Sequence, residues 1–462
     1  MPPSAVSPPA SRLSSPAVPA RSRIMVGSPA WPAGLVALTV LLVCVPSGNK
    51  DVSASVHVTP GDLGSVALVV AAGIRVFAGK RLPRNRLWVA VGAAVVGFAV
   101  ATVVSHDPVG SVSGFVRYLQ LFVIVPVAVV LSLRDRRDLR LVCAAVLAAA
   151  LFEGALGTWQ YLAGTGAAYG SQSVRAVGTF GALDILGLAT VVGYGIIMAL
   201  GLAIVLRGRV RLLLLAIAAL LIVPLLLSLS RGAVLASTIA VAVMLIAASP
   251  RLAVRSAVFG GAAAIVLAGV FGAGTNGVGD RLATIGSSTT TPDRSVQGRY
   301  DLWHAAVGIW QDHPLTGVGL KQFAAYRDSY APLSLSSASD VVDPTVGFQR
   351  EPLLTPHNMY LLVLSEQGVV GLIAFGSLLL GVAVMTVRRT WQARDGTGPP
   401  DGRLPDGRLI SAAAVGIIAR TLVVFLFGDI GGQSTVMMSV LFGAALWWAV
   451  QPPPAAYERS AA

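Results

Sequence analysis

The sequence predicts an all-α polytopic membrane protein of about twelve transmembrane helices, with a large extracytoplasmic loop containing amphipathic helices. Three observations predict it. The 462 residues are 55% hydrophobic and only 12% charged, with a mean hydropathy of +0.75, whereas soluble globular chains carry about 25% charge. Apolar segments of bilayer-spanning length recur along the chain. Basic residues gather in every second connection between those segments, as the positive-inside rule requires.

Residues 1–28 are rich in Pro, Ser and Ala, carry Arg12, Arg21 and Arg23, and show no periodicity. They read as a disordered cytoplasmic tail. A basic stretch before an apolar one also fits a signal peptide. LLVC at Cys44 is a poor lipoprotein site, however, because Val43 stands where a small residue is wanted, so an internal start-anchor is preferred.

Spans are predicted near 30–47, 63–79, 87–105, 115–133, 139–163, 183–206, 212–229, 233–249, 254–273, 357–387, 409–428 and 433–450. Residues 29–273 thus hold helices one to nine, 274–356 the extracytoplasmic loop, 357–450 helices ten to twelve, and 451–462 a second cytoplasmic tail. The basic connections contain Lys80, Arg81, Arg84 and Arg86; Arg134, Arg136, Arg137 and Arg140; Arg207, Arg209 and Arg211; Arg251 and Arg255; and Arg388, Arg389, Arg394, Arg403 and Arg408. This alternation puts the chain in the cytoplasmic membrane with both termini cytoplasmic.

Several function classes are excluded. The net charge of +13 reflects those connections and does not imply nucleic-acid binding. Cys44 and Cys143 lie in apolar segments, which argues against a disulfide framework. AGKR at 78–81 lacks the glycine spacing and Ser/Thr of a nucleotide-binding loop. The outer loop has no DxD and no His/Asp cluster with ligand spacing, so no metal and no cofactor are expected.

Candidate functional residues collect on the outer side. The run from Leu212 to Ser249 is a helical hairpin whose outer turn, SLSRGA, holds Arg231. A guanidinium at a helix centre costs ~2.5–3.5 kcal/mol on insertion scales and far less at the interface. In the large loop, Leu302, Trp303, Ala306, Ile309 and Trp310 recur at helical spacing after Arg299, predicting an amphipathic helix ended by Pro314. Gly317 and Gly319 form the following turn, and Arg175 lies in the loop before the sixth span. In TPHNMYLLVLSEQGVVG, Thr355 suits an N-cap and Pro356 the first helical position. His357 and Asn358 then occupy the first turn, where the helix dipole favours anions and disfavours a protonated imidazole. His357 is therefore expected to be neutral and able to accept a proton.

SRGA at 230–233, GRYDLW at 298–303, DHPLTGVGLKQF at 312–323 and HNMYLLVLSEQGVVG at 357–371 together resemble the O-antigen ligase/polymerase superfamily of membrane proteins. The resemblance covers roughly 175–375. It implies transfer of a glycan from a polyprenyl diphosphate to an acceptor hydroxyl outside the cytoplasmic membrane, without nucleotide sugar or metal. The family's arginines fall on Arg231 and Arg299 and its loop histidine on His357, with Arg175 and Asn358 as further substrate-binding candidates. The expected partners are a polyprenyl diphosphate-linked glycan, a glycan or surface-molecule acceptor and the bilayer. Arginine forks would stabilise the leaving diphosphate by bidentate bonds, and His357 would act as the catalytic base in an inverting displacement. A transporter or flippase of lipid-linked glycans is the alternative; it should show broken helices in matching halves, and no internal repeat is evident.

Glu153, Glu366 and Arg420 lie at similar depth within spans. Intramembrane charges usually pair, so Arg420 is expected to contact Glu366 or Glu153 as a structural ion pair, with a proton path or substrate contact as the lesser alternative. Arg117, near the outer end of its span, is expected to snorkel, with a diphosphate contact as the alternative.

Overall fold

The computed structural model describes residues 31–47, 58–169, 174–181, 184–257, 294–332, 335, 338–343, 347–394 and 405–450. Both expected tails, most of the span placed at 254–273 and the first part of the large loop lie outside the described residues.

The described chain is predominantly helical. Seven helices are long and apolar enough to cross a membrane: Pro60–Phe77, Pro108–Ser132, Arg137–Leu162, Leu186–Val205, Arg209–Leu227, Arg231–Ala248 and Met359–Gln392. Trp31–Leu42, Leu87–Val103, Ser411–Val424 and Ser434–Val450 are shorter apolar helices at positions where the sequence predicts spans. Cys44 and Cys143 are buried free thiols.

The all-α expectation needs one amendment. An antiparallel sheet of three strands, ordered Ala168–Tyr169, Ala338–Asp343, Gly347–Pro352, joins the large loop to the loop before Arg175. Two extended segments outside a helical ladder satisfy one another's backbone groups in this way.

Polar contacts divide the bundle into two ends. At one end Arg117 pairs with Asp62 at 2.6 Å and donates to Thr435 at 2.9 Å and to the Gly432 carbonyl at 3.3 Å. There Ser105 also donates to the Val318 carbonyl at 3.0 Å, and the Ala176 N–H to the Leu227 carbonyl at 3.0 Å. At the other end Arg75 donates to the Ser132 carbonyl at 3.1 Å and Arg389 lies over the Trp448 ring at 5.7 Å. Arg117 is thus tied into a network linking three helices, where snorkelling was expected, because Asp62 at the start of Pro60–Phe77 lies within its reach.

The helix Met359–Arg394 is not continuous. Gly368 has φ 64° and ψ −166°, outside helical geometry. The DHPLTGVG segment fills the break. Val369 and Val370 donate to the carbonyls of Pro314 and Leu315 at 2.9 and 3.1 Å, while Val318 and Gly319 donate to the carbonyls of Ser365 and Glu366 at 3.1 and 2.8 Å. Backbone groups freed by an interrupted helix must find such partners, most of all where lipid offers none. A β-carbon at Gly317 would stand 2.3 Å from the Glu366 carbonyl carbon, and one at Gly368 would stand 2.2 Å from the Leu315 oxygen. Both positions require glycine.

Candidate functional site

His357 sits on a short connection that three neighbours clamp. Arg327 donates to the Leu353 carbonyl, Thr355 donates its hydroxyl to Asp429, and the Trp303 indole donates to the Pro356 carbonyl at 2.9 Å. His357 itself has φ 51°, a left-handed backbone, so no helix can run through it. The helix begins at Met359. The expected Thr355 cap is therefore displaced by three residues. Asn358 is the cap: its side-chain oxygen accepts from the N–H groups of Tyr360 and Leu361 at 3.0 and 3.1 Å, and its amide donates to the Leu426 carbonyl at 3.3 Å. These backbone bonds give Asn358 a capping role beside its expected one as a substrate ligand.

The turn after the helix Pro405–Val424 is the hub of the site. Its carbonyls at Phe425 and Gly428 accept from the Met359 N–H at 2.8 and 3.1 Å. On its other side Phe427 packs on Gly232, where a β-carbon would lie 2.7 Å from the ring. Gly232 follows Arg231, the first residue of the helix Arg231–Ala248, which Ser230 caps by accepting from the Ala233 N–H at 3.4 Å. One turn of chain therefore touches both the segment bearing His357 and the segment bearing Arg231.

The other two arginines arrive at the same end. Arg175 precedes Ala176, whose N–H bonds to Leu227 just before the Arg231 turn. Arg299 lies one helical turn before Trp303 on the helix Arg294–Asp312. That helix starts five residues earlier than expected; Leu302, Ala306 and Ile309 are buried as expected, with Ala305 beside them. Burial is the main cause holding the His357 pKa below its usual 6.5; Asp429 opposes the shift and the Arg299 charge adds to it. The lowered pKa favours the neutral imidazole, the form able to accept a proton.

The GTFG segment after Arg175 is positioned by buried polar side chains. Glu153 accepts from the Thr179 N–H and hydroxyl at 3.0 and 2.6 Å, and Gln160 accepts from the Gly178 N–H at 2.7 Å. Glu366 accepts from the Phe323 N–H at 3.1 Å, anchoring the segment that fills the helix break. Arg420 turns elsewhere. It donates to the Ala189 carbonyl at 2.9 Å and to Ser237 at 3.4 Å, and lies over the Tyr194 ring at 4.6 Å. The expected ion pair is not formed: similar depth did not mean a shared face, and the carboxylates bond elsewhere, Glu153 to the Thr179 N–H and hydroxyl and Glu366 to the Phe323 N–H.

Sequence reasoning missed Asp429, in GDIGG, and Phe427; no spacing linked them to the His357 segment. Asp184 was noticed only as a neighbour of GTFG, yet it accepts from the Ser434 N–H at 3.1 Å, tying that loop to the last helix.

A family model described as O-antigen ligase matches residues 216–376. This match supports the O-antigen ligase/polymerase superfamily. The O-antigen ligase match contains Arg231, Arg299, His357 and the break at Gly368, and it ends before Arg420 and Asp429. No curated protein matches the chain.

Proposed function

We propose that the protein is a membrane glycosyltransferase of the O-antigen ligase/polymerase type. It transfers a glycan from a polyprenyl diphosphate carrier to an acceptor hydroxyl on the outer face of the cytoplasmic membrane. In this reading about twelve spans cross the membrane, both termini are cytoplasmic, and the basic connections mark the inner side. The observation that carries it is the 425–429 turn, which packs on Gly232 beside Arg231 and bonds to Met359 beside His357.

Arg231 and Arg299, with Arg175, bind the diphosphate. As the C1–O bond breaks, its electron pair leaves with the diphosphate, and guanidinium forks stabilise the charge that develops there. The acceptor oxygen bonds to C1 from the opposite face, and His357 takes its proton. One displacement inverts the anomeric centre. The guanidinium groups supply the positive charge, so the step needs no metal ion.

The test is a reconstituted assay without ATP or an ion gradient, using a polyprenyl diphosphate-linked glycan and an acceptor. Product with inverted anomeric configuration is expected from the native protein. Arg231→Ala, Arg299→Ala and His357→Ala should each lose transfer while folding normally. Arg231→Lys should also be impaired, because a point charge replaces a planar fork. Retained transfer in His357→Ala would remove the base from the scheme.

A further inference from the structure

Tyr300 and Trp303 form an aromatic corner beside His357. Their ring centroids are 5.6 Å apart and their planes meet at 74°. Three residues apart on a helix, they project from one face. Trp303 is locked by its 2.9 Å bond to the Pro356 carbonyl, so its ring stands next to the residue that precedes His357. Tyr300 follows Arg299, whose charge is felt at His357. The helix is anchored in the core by Leu302, Ala305, Ala306 and Ile309, each no more than 1% exposed, whereas Tyr300 is 46% exposed. Its phenol ring is thus open on one side while it rests against Trp303.

Aromatic faces carry negative quadrupole density and attract weakly positive C–H groups. The flat faces of a pyranose ring present such groups, and stacking on them needs neither charge nor hydrogen bonds. A pair of rings meeting at 74° offers one face to stack on and one edge to align against. We propose that Tyr300 and Trp303 form a sugar-stacking subsite that holds a pyranose ring next to the bond being made. This rests on the transfer reading above for the identity of the ligand. Donor and acceptor glycans share the chemistry, so the test separates them.

The experiment uses the full-length protein in lipid nanodiscs and saturation-transfer NMR from aromatic protons to sugar ring protons. The probes are farnesyl diphosphate-linked glucose, galactose and N-acetylglucosamine, farnesyl diphosphate alone, and free chitotriose. Tyr300→Ala should weaken binding of a sugar-bearing probe roughly tenfold and leave farnesyl diphosphate unchanged. Tyr300→Phe, which keeps the ring, should stay within about twofold of the native protein. Weakening confined to linked sugars assigns the subsite to the donor; weakening confined to chitotriose assigns it to the acceptor.

The proposal is overturned if no sugar probe contacts the native protein, if Tyr300→Ala binds them normally, or if Tyr300→Phe is as defective as Tyr300→Ala. It is equally overturned if farnesyl diphosphate binding falls in parallel. Sugar contacts that depend on Tyr300 without any transfer would leave the subsite standing and sink the transfer reading instead.

Discussion

Leu315 and Gly368 meet through backbone alone: the Leu315 oxygen lies 2.2 Å from where a Gly368 β-carbon would stand. Gly368→Ala would therefore force a left-handed backbone on alanine, which costs about 1–3 kcal/mol, and would also push the inserted segment out of the break. Lower thermal stability in detergent and loss of transfer are expected together. Gly376, with open space around its β-position, is the control; Gly376→Ala should behave like the native protein. A Gly368→Ala variant of native stability would show that the segment does not depend on this contact.

Asn358 separates capping from catalysis. Asn358→Ala should cost about 1 kcal/mol, the usual value of a lost N-cap, while Asn358→Asp and Asn358→Ser retain an acceptor for the Tyr360 and Leu361 N–H groups. Transfer should follow melting temperature across the three variants. Full stability with abolished transfer in Asn358→Ala would make it a substrate ligand after all.

The titration of His357 has a defined sign. Its folded pKa lies below 6.5, with burial as the leading cause, so the neutral form is favoured on folding. The group contributes stability that is present above pH 6.5 and is lost as the pH falls through the folded value. Transfer should keep its rate down to pH below 6.5. Arg299→Gln should raise the His357 pKa and Asp429→Asn should lower it, as read by NMR titration or by the pH dependence of imidazole acylation. Shifts in the opposite directions would contradict the arrangement.

Arg420 should be energetically independent of the two buried carboxylates. Double-mutant cycles of Arg420→Met with Glu366→Gln, and with Glu153→Gln, should give couplings below about 0.5 kcal/mol, the level expected of sites without contact. A coupling of several kcal/mol would restore the ion pair.

Much of the helical frame was legible because long apolar runs and basic connections are local signals. The hairpin turn at Arg231 and the buried positions Leu302, Ala306 and Ile309 were readable for the same reason. The break at Gly368 was not, since LSEQGVVGLIAF continues an apolar pattern and its interruption is stabilised by residues far away in sequence. The cap moved from Thr355 to Asn358 because Pro356 made an early start plausible, while the left-handed backbone at His357 leaves no local trace. Arg420, Glu153 and Glu366 were misjudged in the same manner. Their depth follows from counting residues, but the faces they use follow from helix rotation and from which loop arrives with free N–H groups.

The threaded segment also bears on biogenesis. Residues 314–319 leave the ribosome before the carbonyls and N–H groups that receive them, at Ser365, Glu366, Val369 and Val370, have been made. The break can be filled only after residues 365–370 have been made, so a chain truncated before them would lack the backbone partners of residues 314–319. Closure of the break is thereby deferred until most of the chain has been made.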